Sequence, residues 1–324
     1  MKKRIIAGTL SLVLGLALTG CAASSSTSGG TGGEDTGTAV LKAGLLPNAE
    51  TAAIRLGKDK GFFTDKGIDL QITDTTSGAA SLTALVAGQF DVVFANTVSV
   101  MQGNDKGLPL VMIAAASTST GVQGKDFSAL MVGSKANFQT PKDLEGKTIA
   151  SNTVKNIGEL TARISVEKAG GSTADLKFVE LPFDNMEQAL ESGQIDAAWM
   201  VEPFHTTALQ HGLRDLTSNY VDTAPGLTAA AFVTTKKVID EKPELIKKFV
   251  SAITESGNYA NGHPNEVRGI IPKFTKLTPE IANQFVIPLY NPEVNVASLE
   301  AMLPEMVKES MISKDFDVNK VIYK

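Results

Sequence analysis

Eleven residues carry most of the chemistry in this chain, and they cluster where predicted strands end and the following helices begin. Asn48, Glu50 and Thr51 follow one strand, Ser77 and Gly78 a second, and Asn96 and Thr97 a third. Asn152 and Asn156 follow a fourth, and Trp199 and Glu202 close a fifth. Ser, Thr and Asn in such places either cap their own helix or hydrogen-bond a ligand, and any one of them is open to both readings. Trp199 is core or a stacking surface, and Glu202, just before Pro203, is a helix cap or a carboxylate that receives an amine or hydroxyl. Five polar loops of this kind point to a binding cleft, because parallel sheets bind ligands beyond the carboxyl ends of their strands.

Catalytic and metal chemistry is poorly represented. His205 and His211 are six apart and share no helix face, and His263 lies elsewhere. Gly146-Lys147-Thr148 imitates the end of a phosphate loop, but Pro141 stands where the first glycine belongs and a strand follows instead of a helix. Gly29, Gly30, Gly32 and Gly33 have no strand before them and no helix after, so no dinucleotide fingerprint is present there. No Gly-x-Ser-x-Gly elbow occurs. The expectation is a binder with no catalytic residue, no metal and no cofactor.

The loops belong to a repeated unit. Residues 75–100 read as polar loop, helix, tight stop, buried strand and polar loop, and the pattern returns at residues 184–204. Gly88-Gln89-Phe90-Asp91 is answered by Gly193-Gln194-Ile195-Asp196. Both glycines sit where a left-handed helix stop is expected. Asp184 and Glu187 have the spacing of a capping box. Strands are expected at residues 90–95 and 195–201. Strand, helix and strand alternate at the spacing of right-handed crossovers, which predicts an α/β fold with mainly parallel sheets in two similar lobes. Residues 129–133 and 228–235 are expected to be the two strands that cross between lobes, and Pro243 opens a long amphipathic helix at its first turn.

The start of the chain reads as export. Lys2, Lys3 and Arg4 precede an uncharged apolar run at residues 5–18, too short for a comfortable membrane span. Leu18-Thr19-Gly20-Cys21 then resembles a bacterial lipobox, in which the cysteine becomes the acylated first residue of the mature chain. Cys21 is the only cysteine of the 324 residues, so no internal disulfide forms and the lone thiol is accounted for by lipid such as palmitate. Residues 22–38, rich in Ser, Thr and Gly, form a flexible tether spanning about 20–25 Å. The formal charge of −5, less the 3 positive charges of the signal, leaves −8 after Cys21. No basic tract is present, which argues against a nucleic-acid partner.

The ordered set of lipobox, tether, GLLPNAETAAIRLGKDKGFFTDKGIDLQI, TSGAASLTALVAGQFDVVFANT, DLEGKTIASNT, ALESGQIDAAWMVEPF and PELIKKFVSAI resembles the solute-binding lipoproteins of ABC importers. Within them it is most similar to the nitrate, sulfonate and taurine binding group, which also holds binders of pyrimidine thiamine precursors. The match spans residues 41–253. The resemblance implies the type II periplasmic-binding-protein fold, two α/β lobes joined by two crossing strands, with a ligand clamped between them. Its ligand loops fall on Asn48, Glu50 and Thr51, on Ser77 and Gly78, on Asn96 and Thr97, on Asn152 and Asn156, and on Trp199 and Glu202. None of the five arginines lies in those loops, which disfavours a ligand that needs a guanidinium fork.

The expected organisation is a signal at 1–20, a tether at 21–38, lobe I at 39–125, lobe II at 126–228, and a return crossing with C-terminal helices at 229–324. The expected partners are a small molecule, the transmembrane subunits of an ABC permease, and the membrane through lipid on Cys21, with the protein otherwise a monomer on the extracytoplasmic face. A sulfonate or related small anion leads among ligands, its charge meeting helix N-termini near Ser77, Gly78 and Asn156. A pyrimidine thiamine precursor, read by Glu202, and an aromatic carboxylate are the alternatives. Pyridoxal-dependent pyrimidine synthases share the fold and supply the competing enzymatic reading.

Overall fold

Short apolar runs bounded by Asn, Asp and Gly form the strands, and a computed structural model describes them within residues 38–324. The expected signal, Cys21 and nearly all of the expected tether lie outside the described residues. The first half holds β1 (Ala39–Leu45), β2 (Ile68–Asp74), β3 (Val92–Asn96) and β4 (Leu110–Thr118). The second holds β5 (Ser128–Val132), β6 (Thr148–Ser151), β7 (Lys177–Glu180), β8 (Ala197–Val201) and β9 (Arg214–Thr217), and β10 (Thr228–Thr235) follows. They form two five-stranded sheets, β2-β1-β3-β10-β4 and β7-β6-β8-β5-β9.

The two orders are the same order. In each sheet the inner pairings β1 with β2 and β3, and β6 with β7 and β8, are parallel. One strand in each, β10 or β5, runs against both neighbours. That strand is always the one arriving from the other lobe. Two α/β lobes are therefore present, as the sequence predicts, with mixed sheets in which four of five strands point one way but half of the pairings are antiparallel.

The strands expected to cross do not themselves cross. β5 lies wholly in the second sheet and β10 wholly in the first. The chain passes between lobes just before each, in residues 119–127 and 218–227. The two passages run side by side where they leave the first sheet: Ser119 N–H donates to Leu227 O at 2.9 Å, next to the Thr118–Thr228 pair. An apolar run reports burial but not which sheet buries it, and the sequence reading went astray there.

Helices α1 (Ala52–Asp59), α2 (Gly78–Val86) and α3 (Thr97–Asp105) belong to the first lobe, and α4 (Ile157–Lys168), α5 (Phe183–Glu191), α6 (Phe204–Gln210) and α7 (Asn219–Thr223) follow in the second half. After β10 come α8 (Lys236–Glu241) and α9 (Pro243–Gly262), which opens on proline as expected. Helix α9 packs on α1 so closely that a Cβ on Gly57 would meet Ser256 Oγ at 1.8 Å. The C-terminal segment returns to the first sheet, where Ile322 bridges to Met112, and reaches α4 through the pairs Lys308–Glu167 and Arg163–Glu309. No helix among the described residues is long and apolar enough to cross a membrane.

The repeated unit is a structural staple. Gly88 and Gly193 have φ of +76° and +72° and stop α2 and α5. The aspartate three residues on then clamps the neighbouring strand. Asp91 N–H donates to Lys42 O while Asp91 Oδ2 accepts from Lys42 N–H, and Asp196 makes the same pair of bonds with Thr148. Strands β3 and β8 begin one residue after each aspartate, later than the sequence suggested. The capping box predicted at Asp184 is not formed: α5 starts a residue earlier, at Phe183 after Pro182, and Glu187 bonds His211.

Candidate functional site

The carboxyl ends of the parallel strands in both sheets bring their loops together around two adjoining spaces. The outer cavity, about 550 Å³, lies between Leu46, Asn48 and residues 75–77 on one side and Asn152, Phe183 and Phe204 on the other. Its volume suits a small organic molecule. The inner recess, about 30 Å³, has room for roughly one water. Leu46, Asn48, Asn152 and Phe183 line both, so the recess is the floor of the same cleft. A separate cavity of about 520 Å³ beside Gly133, Phe138 and Asp196 sits within the second lobe, at the opposite strand ends.

Seven of the eleven residues singled out in the sequence line the cleft. Asn48, Ser77 and Asn152 line the outer cavity, and Asn48, Glu50, Gly78, Asn96, Asn152 and Trp199 the inner recess. Ser77 also caps α2 by accepting from Ala80 N–H, and Asn96 caps α3 by accepting from Ser99 N–H. Capping and facing the cleft are thus compatible at these positions.

The other four turn elsewhere. Thr51 gives its hydroxyl to Leu46 O at 2.6 Å, and Thr97 to Thr228 O at 3.1 Å. Asn156 Oδ1 accepts from Gly158 and Glu159 N–H, and Glu159 turns back to accept from Lys155 N–H, so the start of α4 is satisfied internally. Glu202 is fully buried. Its carboxylate accepts from the Thr206 hydroxyl at 2.7 Å, from Thr206 N–H at 3.1 Å and from Val286 N–H at 3.0 Å.

Glu50 is a strongly perturbed carboxyl group in the cleft. It is buried, accepts from the Ser117 hydroxyl at 2.6 Å and from Asn48 Nδ2 at 2.8 Å, and its pKa is pushed up to about 7 by burial. The two hydrogen bonds favour its ionised form but do not outweigh desolvation, and the nearby Asp126 adds to the rise. Asp126 itself lies in a passage between lobes and accepts from Ser119 Oγ, Thr120 N–H and Phe127 N–H. No Lys or Arg among the described residues lines either space. Arg55 pairs with Asp74 and lies over Phe274, and Arg163 pairs with Glu159 and Glu309.

Sequence reasoning offered Trp199 but missed the other aromatic residues of the walls. Phe183 stands between Trp199, with ring centroids 5.4 Å apart, and Phe204, stacked at 5.0 Å. Trp199 donates its indole N–H to Ser128 Oγ at 2.8 Å, and Tyr220 lies behind it at 6.3 Å. Phe94 faces them from the first sheet. One signal was available: Phe183 follows β7 as Ser77 and Gly78 follow β2, so the repeat itself places it at the cleft. Tyr220, reached through the passage between lobes, left no such trace.

A family model described as NMT1/THI5 like matches residues 48–267, more than half of the chain. The chain belongs to the NMT1/THI5-like family. Among relatives of this family member, a Brucella abortus chain named as a binding protein, with no ligand in its name, is 25% identical over 230 residues, covering 70% of this chain and 68% of the relative. The formylaminopyrimidine-binding protein of Halalkalibacterium halodurans is 23% identical over 263 residues, covering 80% and 75%. Among solved structures, the periplasmic aliphatic sulphonate binding protein SsuA from Escherichia coli aligns with a TM-score of 0.72 at 15% identity, over 88% of this chain and 92% of that one. At that identity the likeness is one of fold, and the fold is that of the periplasmic binding proteins.

Proposed function

We propose that this family member is the extracytoplasmic solute-binding lipoprotein of an ABC importer, taking one small organic molecule between its lobes and presenting it to a permease. The observation that carries this reading is the cleft: strand-end loops from two sheets of identical order surround one space, and the described chain passes between the lobes in two short segments. Hinge closure on a ligand needs that geometry. The names of the relatives as binding proteins support it.

Of the ligand classes open in the sequence, the lining supports a flat ring over a small anion. Acceptors, not cations, stand at the floor, and Phe94, Phe183 and Trp199 offer apolar faces. The start of α4, one of the two helix ends expected to hold an anion, is already satisfied by Asn156 and Glu159. The formylaminopyrimidine named for one relative is a ring of that kind.

Mass spectrometry of whatever copurifies with gently prepared protein, followed by calorimetry against sulfonate and aminopyrimidine panels, tests both levels. A bound ring that also shrinks the radius of gyration is the expected result, and a protein that closes on no solute refutes the capture role. For the anchor, Cys21→Ala should move the protein out of the membrane fraction. A variant that stays fully membrane-bound overturns the lipoprotein reading.

A further inference from the structure

The inner recess contains an acceptor arrangement that capture alone does not require. Asn48 is 5% exposed and Glu50 6% exposed, and both line the recess. Asn48 gives an amide N–H to Glu50 Oε2 at 2.8 Å, and Ser117 gives its hydroxyl to Glu50 Oε1 at 2.6 Å. The remaining polar atom, Asn48 Oδ1, has no hydrogen-bond partner among the described residues. A buried amide oxygen without a donor is an uncommon and unfavourable state, and at a cleft floor it marks where a ligand donor belongs. Each carboxylate oxygen of Glu50 accepts only one bond here and retains capacity for another.

Among the described residues, the titratable groups acting on Glu50 bring no positive charge. They are Asp126 in the first passage, Tyr220 on α7 and Tyr290 in the C-terminal segment, the last donating its hydroxyl to Ala49 O. An anionic ligand would meet Glu50 with no Lys or Arg among the described residues lining the space. A ring edge carrying N–H groups would meet two buried acceptors set side by side on residues 48 and 50.

We propose that Glu50 is the specificity-determining residue of this cleft, forming with Asn48 Oδ1 an acceptor pair that takes the N–H edge of a planar ligand and excludes acceptor-only anions. The inference rests on the capture reading and goes beyond it. It also makes binding proton-linked. Burial holds Glu50 partly protonated near neutral pH, whereas an incoming N–H donor is best received by the carboxylate. Binding therefore releases the carboxyl proton of Glu50 to the buffer, and affinity rises with pH until Glu50 is ionised without help.

The test is calorimetry between pH 5.5 and 8 with three probes: 2-aminopyrimidine and cytosine, whose own rings titrate well below neutral, and benzenesulfonate, a flat ring with acceptors only. For the wild type, the dissociation constants of the two donor rings should fall about tenfold per pH unit below neutrality and level off above it. The measured heat should depend on the ionisation enthalpy of the buffer. Benzenesulfonate should bind at least about tenfold more weakly, the order expected for hydrogen bonds to a charged group. Glu50→Gln should lose the slope, the buffer dependence and about tenfold or more in affinity at pH 8. Ser117→Ala, which keeps the carboxyl but removes a donor that favours its ionised form, should shift the levelling point to higher pH and so guards against a misfolded Gln variant.

Equal affinity and slope in Glu50→Gln, tighter binding of benzenesulfonate, or no donor ring bound at millimolar concentration would overturn the inference. A copurified anion that closes the lobes would overturn it while leaving the capture role intact. Failure to close on any solute would remove the capture role as well.

Discussion

Glu50 ties the stability of the free protein to pH in the sense opposite to a salt-bridged carboxylate. Its pKa is raised from 4.5 to about 7 on folding, so its neutral form is the one that the fold tolerates. Stability from this group is fully present below about pH 4.5 and declines as pH rises toward 7, then stays level. The loss is on the order of 3 kcal/mol. Chemical denaturation of wild type and Glu50→Gln across that window isolates the effect, because other titrations are common to both; parallel curves would show that Glu50 carries no such linkage. Gly158 offers a second test. A Cβ there would lie 2.1 Å from Trp199 Cε3 and 2.8 Å from Ser151 Oγ, so Gly158→Ala should cost about 1–3 kcal/mol and change the emission of the only tryptophan. Polar residues at the cleft were legible in the sequence because a strand end followed by a helix start places Asn and Ser where they can cap the helix and face the cleft at once. Thr51, Thr97, Asn156 and Glu202 have the same local signature yet turn to backbone and caps, since side-chain direction depends on neighbours far along the chain.

At the scale of elements, the two staples should matter equally although their surroundings differ. Asp196 clamps Thr148 by hydrogen bonds alone, whereas Asp91 also pairs with the half-exposed Lys242 at 2.6 Å. An exposed pair of that kind contributes little. Asp196→Ala and Asp91→Ala should each lose about 1–2 kcal/mol through the backbone donor left without its carboxylate. Amide exchange should quicken at Thr148 in one variant and at Lys42 in the other, and exchange confined to the chain termini would refute the staple. The repeat that holds these staples was visible in the sequence, since two glycine stops and two apolar runs recur with the same spacing. The start of α5 was misread because Phe183 enters the helix to stack with Phe204 and meet Trp199, and aromatic packing overrides a capping box whose residues are free to point outward.

For the whole molecule, the proposed closure would depend on contacts outside the cleft as well as within it. Glu202 O accepts from Ala49 N–H at 3.4 Å, and its carboxylate accepts from Val286 N–H, next to Phe285, which is buried with residues of α1. Gln102 on α3 donates to Lys155 O at 2.8 Å, and Arg163 on α4 pairs with Glu309. These bonds join the lobes. Under the capture reading, the lobes part to admit a ring and close on it with its edge at the floor recess of about 30 Å³. The passages allow such a motion: Gly121 and Gly226 face one another at φ of +74° and +60°, backbone conformations that glycine adopts without strain. Removing an inter-lobe contact should then favour the open form without altering what the floor recognises. Glu202→Ala, which deletes the acceptor used by Val286, is expected to raise the radius of gyration of the free protein in solution scattering. It should weaken donor rings and anions by a common factor, because a smaller closed fraction reduces every apparent affinity alike. Glu50→Gln should do the reverse, leaving the free dimensions unchanged while altering the ratio between ligand classes. If Glu202→Ala instead abolishes one ligand class and spares the other, its carboxylate touches ligand, and the division of labour between floor and latch is wrong.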